Sequence, residues 1–128
     1  MYKPNEGAIL FTEMISRDPT ATKDFLEKVL GWVFEKREGE GPDIWLFDAK
    51  NGPGGHLMGQ MGDSPIGTVN YVLVKSVTAA IKRIVRSGGT IIVPKFRIPG
   101  AGWFAMYEMP GGVRQAVFQP NAPTKRRT

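Results

Sequence analysis

Residues 8–16 alternate imperfectly between apolar and polar side chains, the period-2 signature of a half-buried strand. Asp18-Pro19 then marks a helix start, since Asp caps orphan amides and Pro at the first helical position has a preset φ. The helix is expected to reach Leu30. Ala21, Phe25, Leu26, Val29 and Leu30 recur at helical spacing and predict one buried stripe, with Lys23, Asp24, Glu27 and Lys28 on the wet face and Gly31 as the C-terminal cap. Strands follow at 32–36, 44–48 and 56–61, the last reached through Gly52-Pro53-Gly54-Gly55.

After a linker-like stretch at 62–67 the pattern starts again. Residues 69–74 read as a strand and Ser76 as a helix cap. Val77, Ala80, Ile81, Ile84 and Val85 form an apolar stripe that ends at Gly88-Gly89. A strand at 90–93, a loop at 96–102 and a hairpin of 103–107 with 113–119 complete the series, the hairpin turning at Pro110-Gly111-Gly112. At a shift of 58 residues Asp18 falls on Ser76, Gly31 on Gly89 and Trp45 on Trp103; at 57, Gly55 falls on Gly112. The chain therefore reads as a tandem repeat of strand, helix and three strands within one domain spanning 1–128, with modules at about 8–61 and 67–119.

Composition adds exclusions. With 128 residues and 41% hydrophobic content the chain can bury a core. It has no cysteine, which removes thiolate metal sites, disulfides and cysteine nucleophiles. The start has neither a basic segment nor an apolar run long enough for a signal peptide or membrane span, so a cytoplasmic protein is expected. The net charge of +5 is concentrated by Lys125, Arg126 and Arg127 in a basic tail at 121–128; without these three the body is near +2, and no nucleic-acid partner is expected.

Two βαβββ units, with Asp18-Pro19 opening the first helix, Val29-Leu30-Gly31-Trp32 closing it, and Ile98-Pro99-Gly100-Ala101-Gly102-Trp103 leading to Pro110-Gly111-Gly112, resemble the vicinal oxygen chelate superfamily. This is the group of glyoxalase I, the bleomycin-resistance proteins and the extradiol dioxygenases. The resemblance implies an α+β fold in which two tandem βαβββ modules form a curved, cup-shaped mixed sheet, with helices on its outer face and ligands inside. It also implies a homodimer. Family enzymes that use a metal take His, Glu or Gln from one inward position on the first and last strands of each module. Counting seven back from Asp18, and applying the repeat shift, places those positions at Phe11 and Val69; counting four on from Gly55 and Gly112 places them at Gly59 and Ala116. None of the four side chains ligates metal, so no metal or other cofactor is expected. His56, the only histidine, lies beside the turn, where a surface or hydrogen-bonding role is expected; an atypical metal site would draw on Glu13, His56 and Glu108.

Alternation places Phe11, Glu13 and Ile15 on the cup face, with Val69, Tyr71 and Leu73 on its counterpart, and turns Met14, Val72 and Val74 to the helices. Trp45, Trp103 and Tyr107 are expected to add aromatic wall, and Arg114 a cation. The ligand-binding set is thus Phe11, Glu13, Trp45, Val69, Tyr71, Trp103, Tyr107 and Arg114, with Glu13 as the catalytic candidate or as a partner of Arg114. Three functions follow. The first is a glyoxalase/bleomycin-resistance-like protein that lacks the usual metal ligands and binds a small aromatic molecule. The second is an enzyme using Glu13 as general base, or an atypical metal site. The third is an interaction module, favoured only by the basic tail.

Overall fold

The computed structural model describes residues 5–50 and 52–121, so the basic run at 125–127 and the rest of the tail beyond residue 121 lie outside the described residues. Contacts divide the described chain into two compact units, residues 9–70 and residues 71–121 joined by 5–8. The short N-terminal segment belongs to the second unit because it pairs there: the Gly7 amide donates to Leu73 O at 2.8 Å and the Leu73 amide to Ala8 O at 2.9 Å.

The first unit runs β1 (Ile9–Ser16), α1 (Pro19–Leu30), β2 (Val33–Lys36), β3 (Ile44–Asp48) and β4 (Gly55–Gly59). Its strands lie in the order β2-β3-β4-β1. β1 and β4 are parallel, whereas β2, β3 and β4 form an antiparallel meander. The local signals for α1 act as expected: the Asp18 carboxylate accepts the Ala21 amide at 3.1 Å, and Gly31 closes the helix at φ 69° while its amide donates to Glu27 O.

The expected buried stripe of α1 does not form. No residue of this helix is fully buried, and Phe25, Val29 and Leu30 are 62%, 58% and 49% exposed. The helix instead lays Pro19, Thr22 and Lys23 against the sheet. Pro19 lies over Gly59, Thr22 Oγ1 meets Ser16 Oγ at 2.7 Å, and the Lys23 ammonium sits 5.1 Å from the centre of the Trp45 ring. Lys23, expected in water, has a side chain only 16% exposed, its ammonium lying over the Trp45 ring and reaching Asp24 and Glu27. Period 3.6 locates an apolar row on the helix, but the surface offered by the sheet selects the row that is buried.

The second unit repeats the plan with β5 (Gly67–Leu73), whose first residues belong to the first unit, α2 (Val77–Arg86), β6 (Thr90–Ile98), β7 (Gly102–Glu108) and β8 (Arg114–Pro120). The order is β5-β8-β7-β6, with β5 parallel to β8 and the other pairs antiparallel. Here the helix stripe is buried as read: Val77 and Ala80 join Val74, Ala105, Tyr107 and Val117 in a core against which Ile81 and Ile84 pack. Ser76 Oγ accepts the Ala79 amide, and Gln119 Oε1 accepts the Val77 amide at 2.9 Å, so two orphan donors of the first turn are satisfied. The hairpin turn has Gly111 and Gly112 at φ 100° and 92°, conformations that side chains disfavour.

One loop is shorter than expected. β6 continues to Ile98, leaving only residues 99–101 to connect β6 and β7. Its pairing with β7 shifts between Ile91 and Val93 and again between Val93 and Phe96, a stretch that contains Pro94. Proline cannot donate to the ladder, and such interruptions are tolerated at the end of a sheet, where β6 lies.

Candidate functional site

Pairing register assigns the faces of each sheet. In the first unit Met14 is opposite Leu57, which is opposite Trp45; these side chains share the face covered by α1. On the other face Glu13 lies opposite His56, which lies opposite Leu46, and Ile15 lies opposite Met58, which lies opposite Ile44. Phe11 belongs to this second face by alternation along β1.

Across the two parallel strands, His56 Nε2 and Glu13 Oε2 are 2.7 Å apart. The carboxylate side chain is 12% exposed and the imidazole 22%, so the pair is half sheltered but reachable. An ionised carboxylate only accepts, so Nε2 carries the proton and donates it to Glu13 Oε2. In neutral His56 the free lone pair is then on Nδ1. The Phe11 ring lies 5.9 Å from the imidazole, inclined by 40°, and supplies an apolar flank. A carboxylate that fixes the tautomer and stabilises the imidazolium makes its histidine a competent proton acceptor.

The remaining expected residues distribute differently. Phe11 and Glu13 share the face now described. Tyr71 shares a face with Ala116 and Met106 in the second unit, its ring 6.0 Å from Phe104, and Val69 precedes it on the same side of β5. Trp45, Trp103 and Tyr107 are corrected. All three lie on the helix-facing sides of their sheets: Trp45 beneath Lys23, Trp103 beneath Lys95 and Arg97, and Tyr107 in the core beside Val77 and Ala80. A strand turns alternate residues to opposite faces, so aromatic character alone does not say which face a residue joins. Arg114 is the cross-strand neighbour of Glu108, Nε to Oε2 4.0 Å, and Glu13 takes His56 as its partner.

His56, expected beside the turn in a surface or hydrogen-bonding role, makes its hydrogen bond with Glu13. It lies inside β4, opposite Glu13, because β4 begins at Gly55 itself, whereas β8 begins two residues beyond Gly112. Counting from the two glycines as if both ended a turn moved the expected position to Gly59, which faces α1: a Cβ there would come 3.5 Å from Pro19 Cγ. The register pair corresponding to Glu13 and His56 in the second unit is Tyr71 and Ala116. The signal that could have found the pair was the strand start at Gly55, where a Cβ would strike the Thr12 carbonyl, a close approach that glycine permits inside a sheet.

Among the described residues no three His, Cys, Asp or Glu side chains gather closely enough to hold a metal ion. Glu13 and His56 provide two donors already engaged with each other, and Tyr71 and Ala116 add neither imidazole nor carboxylate. Glu108, the third member of the atypical set, neighbours Arg114.

No protein-family model matches the chain. Curated relatives named "Putative glyoxylase CFP32" occur in Mycobacterium bovis and Mycobacterium tuberculosis; each is 24% identical over 123 residues, covering 91% of this chain and 47% of the relative. The chain thus spans about half the length of the curated relatives it matches. Among solved structures, a hypothetical protein of Bacillus halodurans C-125 superposes with TM-score 0.71 at 12% identity, covering 95% of this chain and all of that one. A glyoxalase/bleomycin resistance protein/dioxygenase superfamily member from Vibrio splendidus 12B01 gives TM-score 0.66 at 17% identity, covering 86% and 96%. Methylmalonyl-CoA epimerase from Mycobacterium tuberculosis gives TM-score 0.66 at 16% identity, covering 96% and 94%. The chain thus has the fold of the glyoxalase/bleomycin resistance protein/dioxygenase superfamily.

Proposed function

We propose that the chain binds a small organic molecule over the Glu13–His56 pair and transfers a proton on it, with His56 as base, Glu13 as the carboxylate that orients it, and no chelated metal. The observation that carries this reading is the 2.7 Å contact between Glu13 and His56 on the face of the first unit turned away from α1. Phe11, Ile15 and Met58 give that face an apolar setting, which suits a carbon acid or an aromatic body. A ligand proton delivered to His56 Nδ1 leaves an imidazolium stabilised by the adjacent carboxylate, which exchanges that proton with solvent and reprotonates the carbon. The relatives' names, a glyoxylase and an epimerase, agree with this chemical class without naming a substrate for this chain.

Because His56 is the only histidine, its ring nitrogens can be read by nitrogen-15 NMR without assignment. The test is a set of small carbonyl and aryl carbonyl compounds in D2O, followed by deuterium incorporation at carbon. At least one compound is expected to shift the imidazole signals and to exchange its proton. Glu13→Gln and His56→Gln are each expected to lower exchange by about 10²-fold or more while the fold is retained. Exchange unchanged in both variants would refute the assignment. Binding that shifts His56 with no exchange in any compound would leave a binding protein of the bleomycin-resistance type.

We infer in addition that the chain self-associates through the outer side of α1. Phe25, Val29 and Leu30 present apolar surface there, and residues 8–68 carry ten acidic and six basic side chains against one and seven in residues 69–121. A second copy supplies the opposite charge that the first module lacks.

A further inference from the structure

Between the C-terminal turn of α2 and the end of β7 lies a hollow of about 240 Å³ within the second unit. Ile84, Tyr107, Met109 and Pro110 make its walls apolar, and Arg83 and Ser87 stand on the helix side as its polar members. It shares no residue with the Glu13–His56 site. We infer that this hollow is a separate binding site for a small molecule with an apolar, single-ring body and one carboxylate.

The shape is kept by backbone. Gly89 lines the hollow, and a Cβ at that position would come 2.6 Å from Ile84 Cγ2, so a side chain there would displace the wall. Met109, unbranched and polarisable, adapts to the faces of aromatic ligands. The Tyr107 hydroxyl donates to Gln115 Oε1 at 2.6 Å, which fixes the ring as a stationary wall.

The charge is set by what surrounds Arg83. Among the described residues its guanidinium has no ion pair. The only acidic side chain of residues 69–121, Glu108, follows Tyr107 on β7 and therefore lies on the opposite face of the sheet, beside Arg114. The end of α2 contributes roughly half a negative charge, which the full charges of Arg83 and Arg86 in that same last turn exceed. An apolar body in the hollow thus brings an anionic group toward an uncompensated arginine and the Ser87 hydroxyl. A neutral molecule of the same shape gains only the apolar part.

Benzoate is the probe, followed by amide NMR of the whole chain, with benzamide as its neutral counterpart. Benzoate is expected to shift the amides of residues 83–89 and 107–112 saturably and to leave the His56 imidazole signals in place. Arg83→Gln is expected to weaken that binding at least fivefold, and benzamide to bind comparably weakly to the native chain. Met109→Trp, which fills the hollow, is expected to abolish the shifts while Arg83 remains. Equal binding of benzamide and benzoate, indifference to Arg83→Gln, shifts centred on His56, or no saturable shift would each overturn the site. None of these outcomes depends on whether Glu13 and His56 transfer a proton.

Discussion

At the scale of single residues, position in the pleat decides chemistry more than residue type does. Glu13 and His56 become a pair because β1 and β4 bring them opposite each other on one face; Trp45, one residue before the neighbour of His56 on β3, ends on the other. Alternation along β1 and β5 made Phe11, Glu13, Val69 and Tyr71 legible, since a strand's own period needs no knowledge of its partner. The Glu13–His56 contact was not legible, because it depends on how two strands separated by more than forty residues align. Tyr107 shows the energetic side of the same placement. Burial lifts its phenol above the ordinary value of 10.0, so the folded chain holds that proton more tightly than the unfolded chain. The resulting stabilisation is complete below pH 10 and is lost as the pH rises through the higher folded value. Ultraviolet titration of the phenolates is expected to show a late step that Tyr107→Phe removes; the same late step in that variant would refute the assignment.

At the scale of elements, both helices obey the same terminal signals and differ in what they bury. Asp18 and Ser76 each cap the amide three residues on, and glycine follows each helix end, because caps are settled within one turn of chain. α2 finds small residues beneath it, Ala105 and Val117, and its apolar stripe closes into a core. α1 meets the broad ring of Trp45, over which the Lys23 ammonium lies, and its Phe25–Val29 row remains outside. The β1–β4 pair is equally specific. A Cβ on Gly55 would collide with the Thr12 carbonyl and press on the Phe47 ring, and a backbone oxygen in a ladder cannot move aside cheaply. Gly55→Ala is therefore expected to cost about 1–3 kcal/mol. Denaturant unfolding with an unshifted midpoint would show that the strands separate without loss. The variant is also expected to disturb the Glu13–His56 register, since His56 is the next residue.

At the scale of the whole molecule, the sequence carries a polarity of charge between its two modules that its net charge of +5 conceals. Together with the exposed α1 row this leads to an expected outcome for self-association. Val29→Glu places a charge in the proposed contact without touching a buried group, Val29 being 58% exposed, and is expected to shift sedimentation toward the monomer while leaving thermal unfolding of dilute protein nearly unchanged. Identical sedimentation of variant and native chain would remove α1 from the contact. The sequence alone determined the repeat of strand, helix and three strands, the caps, the glycine turns and the alternation of faces along β1 and β5, because these depend on interactions a few residues apart. Tertiary structure alone decided which row of α1 is covered, that β6 runs on past Pro94, which sheet faces hold Trp45, Trp103 and Tyr107, and that His56 meets Glu13. Each of those follows from the alignment of strands distant along the chain, where a displacement of one residue turns a side chain from one face to the other.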